Sequence, residues 1–350
     1  MEVGCKRLRI QKEWCKRMVV KFKNYEMLDG TEKTLLVKVG MGTVIRRFDK
    51  TPFPHRPTDV ICPHFMELAW AWGCPYNCAY CYLKGTYRFF IKNDLGRVPI
   101  GFKKTDQIRK EVEEFLRLDD IPAEILNAGE LCDGLMAEAK KEWPWGHEPF
   151  SSWIMKYFNG TRHKILFLTK GTNVDNFLKN NWQNNVILAW SLNADAVSKR
   201  WEHSAPPLEQ RLEAAREAYL SGYSVRVRID PMVPVENWKD EYTRLVDEIF
   251  KAFEPERVTL GSLRGLISTI THAKDKSWVK YLEETSSWGR KPSFRKRYAM
   301  YIFLMGYIID KYRFSEIGIC KETLEMWQSV EQSFNQYGIK YQKIKCNCVP

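Results

Sequence analysis

Residues 66–82 read MELAWAWGCPYNCAYCY and join a short apolar run to a loop that carries three cysteines. The run has the composition of a buried strand, and Gly73 then marks the turn that follows it. Cys74, Cys78 and Cys81 lie in this turn with the spacing Cys-x3-Cys-x2-Cys. Thiolates are soft ligands that hold iron–sulfur clusters, and this tight spacing lets one segment wrap one corner of a cluster. The stretch therefore predicts a metal centre at the end of a strand.

Three thiolates on a cluster of four irons leave one iron without a protein ligand. That iron can chelate the amino and carboxylate groups of S-adenosylmethionine (SAM), and an electron from the cluster can then cleave the C–S bond of SAM. A zinc site usually needs four protein ligands, and a disulfide does not fit a cytosolic protein. Chance spacing in a chain of ten cysteines is the remaining alternative.

Strand and helix patterns alternate from about residue 61 onward. The clearest helical stretches are Thr105–Arg117 and Pro207–Leu220. Six successive βα units predict an α/β fold with a parallel sheet, and their number suits a partial (β/α)6 barrel better than a complete eight-stranded one. The six candidate strands are Met66–Trp72, Ala123–Asn127, Lys164–Thr169, Val186–Leu192, Ser224–Ile229 and Arg257–Leu260.

The chain is predicted to have three regions. Residues 1–60 form a basic N-terminal extension, residues 61–265 form the partial barrel, and residues 266–350 form a C-terminal α+β region.

Chemically suggestive residues follow the predicted strands, at the end where parallel-sheet enzymes gather their active sites. A single polar residue at such a position is more often a helix cap or a surface group. Their recurrence at successive strand ends favours a functional site. The residues at or just after the ends of the second to the sixth strand are Gly129, Glu130, Lys170, Ser191, Asn193, Asp230 and Arg264.

The chain is strongly basic, with 55 Lys and Arg against 43 Asp and Glu and a formal net charge of +12. Such a charge favours a polyanionic partner such as nucleic acid, although an unspecific basic surface gives the same count. Aromatic residues are interleaved with cations at residues 288–291 and 294–298. Cations that bind phosphates and rings that stack on unstacked bases are typical of nucleic-acid sites.

No targeting or membrane segment is apparent. Residues 1–16 are basic and lack the apolar core of a secretory signal. The longest apolar run, Tyr298–Ile309, is too short to span a bilayer and predicts a buried helix. We therefore expect a cytoplasmic protein without a membrane partner, in which cysteines serve metal or redox chemistry.

The cysteine spacing is the signature of the radical SAM superfamily, which this sequence resembles over residues 61 to about 265. The resemblance implies a [4Fe–4S] cluster and SAM as cofactors, and a reductant such as flavodoxin or ferredoxin. The SAM contacts that it implies are Gly129 and Glu130 for the amino group, Ser191 and Asn193 for the ribose, and Lys170 and Arg228 for the carboxylate.

A narrower resemblance rests on Tyr80 and Tyr82, which flank the third cysteine as in the spore photoproduct lyase family. Trp201-Glu202, the run RLEAAR at residues 211–216 and Gly222-Tyr223 resemble the same family. This resemblance implies a DNA-repair lyase that uses a 5′-deoxyadenosyl radical to reverse a methylene-bridged thymine dimer. In that family a cysteine returns a hydrogen to the thymine radical, and a tyrosine relays the radical back to SAM.

The hydrogen donor is where the sequence departs from the family. Glu130 occupies the position of the donor cysteine, and Cys132 follows two residues later. Cys132 is either a shifted donor or a buried apolar residue. Tyr82 is the better candidate for the relay; the alternative for Tyr80 and Tyr82 is packing around the cluster.

The remaining cysteines divide into two groups. Cys320, Cys346 and Cys348 are candidates for a second metal site or for thiol chemistry, including hydrogen donation. Cys5, Cys15 and Cys62 have no evident partner in the sequence, and we interpret them as structural.

Two other functions compete with the lesion lyase. A radical SAM enzyme of the same branch could act on another nucleic-acid adduct or on modified RNA, because the cofactor motifs do not depend on the substrate. A non-enzymatic alternative is a nucleic-acid-binding protein whose cysteines hold structural zinc.

Overall fold

The computed structural model describes residues 19–48, 53–92, 96–139 and 141–350. The basic start of the chain, with Cys5 and Cys15, lies outside these residues. The strands are β1 (Val20–Glu26), β2 (Glu32–Val39), β3 (Ile45–Arg47), β4 (Val60–Ile61), β5 (Met66–Leu68), β6 (Ala71–Trp72), β7 (Gly101–Phe102), β8 (Ile125–Asn127), β9 (Lys164–Thr169), β10 (Val186–Leu192), β11 (Ser224–Met232), β12 (Arg257–Ser262), β13 (Glu284–Ser286), β14 (Gly289–Lys291), β15 (Ile317–Ile319) and β16 (Glu322–Thr323).

The helices alternate with the central strands. They are α1 (Leu83–Thr86), α2 (Thr105–Leu116), α3 (Phe150–Phe158), α4 (Asp175–Leu178), α5 (Asp195–Trp201), α6 (Leu208–Leu220), α7 (Trp238–Ala252), α8 (Ile267–His272), α9 (Phe294–Tyr312) and α10 (Leu324–Phe334). Short 3-10 turns lie at Arg88–Phe90, Val279–Tyr281 and Asn335–Tyr337.

A ten-stranded sheet organises the described residues in the order β1-β2-β3-β5-β8-β9-β10-β11-β12-β15. Within this sheet, the neighbouring strands β5, β8, β9, β10, β11, β12 and β15 pair in parallel. Strands β1, β2 and β3 pair antiparallel and extend the sheet beyond β5. The parallel strands are buried on both faces, so they have near-continuous apolar sequences such as VILAWSL in β10. The predicted α/β fold with a parallel sheet is therefore present.

All six predicted strands occur near their expected positions, and β9 and β10 have the predicted bounds. The first one is shorter, because β5 ends at Leu68 and the chain then forms the separate strand β6. The sequence missed β15, whose three residues add a seventh parallel strand beside β12. A three-residue strand carries too little periodicity to be recognised.

The regions outside residues 61–265 contribute strands to this same sheet, through β1 to β3 and through β15. The strand pair β4–β16 also brings residues 60–61 against residues 322–323. The division into three regions at residues 60 and 265 stays a proposal.

The apolar run at Tyr298–Ile309 lies within α9, as predicted, and buries Tyr301, Leu304 and Ile308 completely. None of the helices in the described ranges combines the length and apolar character needed to cross a membrane.

Candidate active site

The cysteine loop is held by backbone hydrogen bonds on both sides. Gly73 N donates to Leu131 O over 3.0 Å, and Ala79 N donates to Trp201 O over 2.7 Å. Gly73 has a φ of +85°, and a Cβ at this position would lie 2.0 Å from Pro99 O. Only glycine fits this position, since both the conformation and the close approach exclude a side chain. The loop is therefore fixed between the segment after β8 and the segment after α5.

The loop forms one wall of a cavity of about 490 Å³ at the carboxyl ends of the parallel strands. Most of the predicted site residues line this one cavity. They are Cys74, Cys78, Cys81, Tyr80, Tyr82, Gly129, Glu130, Cys132, Lys170, Ser191 and Arg228. Asp230 and Arg264, which follow the fifth and sixth predicted strands, also line it.

Asn193 does not line the cavity, although its neighbour Ser191 does. The Asn193 side chain is fully buried; its Nδ2 donates to Pro231 O over 2.9 Å, and its Oδ1 accepts from the Tyr242 hydroxyl over 3.1 Å. Its Nδ2 also donates to the Tyr80 hydroxyl over 3.4 Å, so both polar atoms of the Asn193 side chain are bonded within the protein.

Cys320, Cys346 and Cys348 also lie outside the main cavity. They line a separate small pocket together with Cys62, so Cys62 has cysteine neighbours that the sequence did not reveal, and its structural role stays a prediction. The strand pair β4–β16 joins sequence-distant segments, which is why the sequence did not reveal this proximity.

Glu202 connects the cysteine loop to the strand ends, a role that the family resemblance at Trp201-Glu202 did not indicate. Its carboxylate pairs with Lys170 Nζ at 2.7 Å and with Arg211 Nη1 at 2.6 Å, and it accepts a hydrogen bond from the Tyr80 hydroxyl. Burial alone would raise the pKa of Glu202, but Lys170 and Arg211 lower it to about 2. Since Ala79 N also bonds to Trp201 O, this buried charge cluster holds the loop in place.

Glu130 is paired with Lys321, a residue that the sequence did not indicate. Glu130 Oε1 lies 3.0 Å from Lys321 Nζ, and both side chains are buried. Burial opposes ionisation of Glu130, yet Lys321 and Arg228 hold its pKa below the usual value. Lys321 Nζ also lies 5.0 Å from the ring centres of both Phe48 and Trp288. The carboxylate at the cavity wall is therefore charged and its position is fixed.

Arg228 and Arg264 both face Asp230. Asp230 Oδ2 lies 3.1 Å from Arg228 Nε and 2.5 Å from Arg264 Nη2. Burial raises the pKa of Asp230, and the two guanidinium groups together lower it to about 2. Two cations therefore share the Asp230 carboxylate in the lining of the cavity.

Gly129 and Cys132 lie on the segment after β8. A Cβ at Gly129 would lie 2.3 Å from Leu168 O, so glycine allows this segment to approach β9. Cys132 is buried, and its Sγ donates to Ala128 O over 3.3 Å. Burial, and then the charge of Asp133, raise the pKa of Cys132 well above the usual thiol value. Cys132 is therefore a protonated thiol that faces the cavity.

The two basic and aromatic segments, residues 288–291 and 294–298, were predicted to contact nucleic acid, but each has one cation that is buried. Arg297 is buried and pairs with Glu322 at 2.6 Å, and Lys291 in the first segment pairs with the same carboxylate at 3.1 Å. Both cations stabilise the fold and are not available to phosphates. Trp288 of the first segment does line the main cavity.

The three cysteines of the loop fit an iron–sulfur cluster. Their thiols line one cavity from a single fixed loop, and Lys170, Ser191 and the Glu130 carboxylate line the same cavity and could bind a polar ligand. Soft thiolates beside charged and polar groups are the donor set that a cluster with bound SAM requires.

The buried carboxylates predict an acid-sensitive fold. Burial raises the pKa of Glu322, but Lys291 and Arg297 lower it to about 2. The cations beside Glu202 and Asp230 likewise lower the pKa of each of those carboxyls to about 2. In the unfolded chain the pKa values of these carboxyls are about 4. Because the folded-state pKa values are lower, the ion pairs stabilise the fold above about pH 4, and this stabilisation is lost as the pH falls.

We expect the free energy of unfolding, measured by urea denaturation, to fall by about 3 kcal/mol or more between pH 5 and pH 3. A Glu322→Gln variant should show a shallower decrease over the same range. A stability that does not change across this range would contradict the assigned ionisation.

Comparisons with known proteins show what this chain is similar to. A family model described as "Spore photoproduct lyase" matches residues 152–281. The spore photoproduct lyase of Clostridium acetobutylicum is 26% identical over 177 residues, which cover 50% of this chain and 48% of that protein. The Bacillus subtilis spore photoproduct lyase is 24% identical over 185 residues, 52% of this chain and 50% of that protein. The match thus spans about half the length of these curated relatives.

Solved structures give the same fold. A spore photoproduct lyase complexed with dinucleoside spore photoproduct superposes with a TM-score of 0.59 at 16% identity, over 74% of this chain and 78% of that one. A double mutant of spore photoproduct lyase with bound AdoMet and dinucleoside spore photoproduct gives 0.58 at 18% identity, over 73% and 78%. The resemblance predicted from the sequence is confirmed: this chain is similar to the spore photoproduct lyase branch of the radical SAM superfamily.

Proposed function

We propose that this chain is a radical SAM lyase that reverses a methylene-bridged thymine dimer in DNA. The observation that carries the proposal is one cavity that joins the cysteine loop, the polar strand ends and a protonated Cys132 thiol. Similarity to spore photoproduct lyases, one of which has been solved with AdoMet and dinucleoside spore photoproduct, supports it. We further propose that β5 and β8 to β12 form a partial (β/α)6 barrel, with β15 as an added edge strand.

Cys74, Cys78 and Cys81 would hold a [4Fe–4S] cluster, and SAM would occupy the adjoining part of the cavity. When bound, these two groups together supply a 5′-deoxyadenosyl radical. Among the strand-end residues, Lys170 offers a cation for the SAM carboxylate, and its Nζ is kept in place by Ser191 Oγ at 2.9 Å.

Glu130 would serve the SAM amino group. Its carboxylate is kept charged by Lys321 and Arg228, so it can accept hydrogen bonds from a cationic amine. Ser191 lines the cavity beside Lys170 and would contact the ribose.

The two tyrosines beside the third cysteine have different surroundings. Tyr80 is buried and donates its hydroxyl to the Glu202 carboxylate, so we assign it to positioning the loop. Tyr82 is 37% exposed and donates to the backbone oxygen of Glu130, next to the segment that carries Cys132. We assign Tyr82, rather than Tyr80, to the radical relay that the family resemblance implies.

Cys132 would return the hydrogen to the substrate radical, because its buried thiol keeps its proton and faces the same cavity as the cysteine loop. A Cys132→Ala variant should still form 5′-deoxyadenosine from SAM but should lose formation of repaired thymine. Product analysis by mass spectrometry checks both. Full repair by this variant would move the donor role elsewhere.

An aromatic wall in the cavity suits a nucleobase. Phe48, Trp288 and Tyr82 line it, and Lys321 Nζ lies within 5.7 Å of the ring centres of all three. Flat rings stack on bases that have left the duplex, and a buried cation beside them attracts the adjoining carbonyl oxygens or phosphates. A lesion would have to be flipped out of the duplex to reach this wall.

DNA is the proposed partner, and the net charge of +12 is consistent with it. Lys and Arg contacts to phosphates release counterions, so the affinity for DNA should fall steeply, by about tenfold or more, between 50 and 200 mM salt. Fluorescence anisotropy with a labelled duplex measures this dependence. A flat salt response would contradict an electrostatic DNA interface. We propose that the enzyme works in the cytoplasm with a reductant such as flavodoxin or ferredoxin.

The proposed substrate can be tested with damaged DNA. Anaerobically reconstituted enzyme is incubated with SAM, reductant and DNA irradiated either dry or wet, and the digested products are analysed by mass spectrometry. We expect the methylene-bridged dimer to disappear and thymine to be restored. Persistence of this dimer under active conditions would contradict the proposal.

A second candidate is a radical SAM enzyme of the same branch that acts on another nucleic-acid adduct or on modified RNA. It is favoured by Glu130, which stands where the family carries its donor cysteine and is committed to the ion pair with Lys321. Formation of 5′-deoxyadenosine without loss of any methylene-bridged dimer would support this second function.

A further inference from the structure

Two neighbouring phenylalanines lie exposed on the turn that follows the cysteine loop and α1. Phe89 is 76% exposed and Phe90 is 57% exposed, and no other aromatic side chain in the described residues is exposed to this degree. A single exposed apolar side chain needs no explanation. Two adjacent rings in contact with water form an apolar patch, and such patches mark surfaces that bind a partner.

The two rings adjoin the mouth of the main cavity. Thr86, three residues before Phe89, lines the cavity, and so does Ile267, which is itself 63% exposed. The segments that carry these two lining residues pack closely, because a Cβ at Gly85 would lie 2.4 Å from Ser268 Oγ. The exposed rings therefore lie on a surface that continues from the exposed part of the cavity lining.

Backbone hydrogen bonds fix the turn that carries the rings. Tyr87 N donates to Leu83 O over 2.8 Å, and Phe90 N donates to Tyr87 O over 2.9 Å. The ring centres of Tyr87 and Phe90 lie 6.4 Å apart. Because this backbone is ordered before any partner arrives, binding through the rings costs less conformational entropy than binding through a free loop.

The charge of the segment suits a polyanion. Residues 83–92 contain Lys84, Arg88 and Lys92 and no carboxylate, and the next acidic residue, Asp94, lies outside the described residues. Lys84 is buried and serves the fold, whereas Lys92 is exposed. Arg88 Cζ lies 4.3 Å from the ring centre of Phe89. Exposed rings with cations beside them are typical of surfaces that contact bases and phosphates together.

A lesion that is flipped out of a duplex leaves a gap in the base stack. A methylene-bridged dimer joins two adjacent thymines, so both bases would leave the stack together. Proteins that hold such openings insert apolar side chains between base steps. Two adjacent phenyl rings beside the cavity mouth match a gap of two bases.

We propose that Phe89 and Phe90 enter the base stack of duplex DNA and occupy the space that the flipped lesion leaves. Arg88 and Lys92 contact the adjoining phosphates. This inference rests on the proposed function, because it takes a flipped thymine lesion as the substrate in the main cavity. It adds a DNA-binding surface outside the cavity that acts only when the lesion lies in a duplex.

The test compares a methylene-bridged dimer in duplex DNA with the free dinucleoside, which has no base stack to open. Dithionite is the reductant, so no protein electron donor has to dock. Below saturation, Phe89→Ala with Phe90→Ala should lower repair of the duplex lesion by about tenfold or more and keep conversion of the dinucleoside within about twofold of native. Equal losses on both substrates, or no loss on either, would overturn the proposal.

An exposed apolar residue elsewhere provides the matched control. Leu220 is 65% exposed at the end of α6, shortly before β11 begins. It therefore lies at the amino ends of the parallel strands, away from the cavity at their carboxyl ends. Leu220→Ala should repair both substrates at the native rate. A loss in this variant as large as that in the double variant would show that the two rings have no special role.

A second measurement does not depend on the repair chemistry. Duplex DNA with 2-aminopurine opposite the dimer is titrated with protein to saturation in the absence of SAM. The native protein should raise the fluorescence of 2-aminopurine, because this base loses its pairing partner, and the double variant should raise it less. Equal fluorescence with the two proteins, including no rise with either, overturns the role of the rings. Failure of the native protein to convert the dinucleoside would instead count against the proposed function.

Discussion

Replacing Cys74, Cys78 or Cys81 with Ala is expected to abolish the reductive cleavage of SAM. Each thiol lines the cavity from the same fixed loop, and an iron–sulfur cluster that loses one of three cysteine ligands is not retained in a defined geometry. The measurement is 5′-deoxyadenosine formed per chain under anaerobic conditions with dithionite, alongside the iron content.

A cysteine away from this loop provides the control for that experiment. Cys15→Ala, at a position outside the described residues, should leave cleavage intact. Retained 5′-deoxyadenosine formation in any one of the three loop variants would count against the assignment of the cluster. A colourless native protein that contains zinc and no iron would favour the non-enzymatic, zinc-stabilised alternative.

Removing the Glu202 carboxylate is expected to destabilise the fold strongly. The Glu202 side chain is 0% exposed, and its partners Lys170 and Arg211 are 14% and 1% exposed. A Glu202→Ala change would leave both cations without their counter-charge in the interior. Loss of one partner of a buried ion pair costs about 3–5 kcal/mol. Urea denaturation measures this loss in the free energy of unfolding.

The same change should also weaken SAM cleavage, because Glu202 lies next to Trp201 and His203, whose carbonyls accept hydrogen bonds from the cysteine loop. Glu213→Ala is the matched control. Glu213 pairs with Arg216 on the surface, where the two side chains are 59% and 45% exposed. An exposed pair contributes about 0–1 kcal/mol, so this variant should remain close to native. Equal losses in the two variants would show that Glu202 has no special structural role.

The sequence predicted the parts of the site that depend on local order. A strand that is buried on both faces is usually apolar along most of its length, so the runs at β9 and β10 could be located to the residue. Because parallel strands end at one edge of the sheet, Lys170 and Ser191 could be expected near the cysteine loop before any coordinates.

Long-range ion pairs could not be predicted in this way. Lys321 reaches Glu130 across 191 positions of the chain, and no periodic pattern links the two residues. The pocket around Cys62 likewise depends on the pairing of β4 with β16, two strands of two residues each. Strands this short show no recognisable hydrophobic periodicity, so their pairing can be seen only in the folded structure.

Asn193 shows how position alone can mislead. It directly follows β10, the strand that contains Ser191, and a strand end gives no indication of which side chain turns toward the cavity. In the fold, Asn193 bonds to Tyr242 and Pro231. Residues two apart at the end of a strand share a face only while the chain stays extended.

We propose that a radical formed in the cavity beside the cysteine loop repairs a thymine lesion. The most direct test is one anaerobic reaction of the reconstituted protein with SAM, reductant and synthetic dinucleoside spore photoproduct, in which thymidine products and 5′-deoxyadenosine are quantified together. We expect the dinucleoside to be converted to thymidine products only when SAM and reductant are both present. Accumulation of 5′-deoxyadenosine with the dinucleoside left intact would contradict the claim.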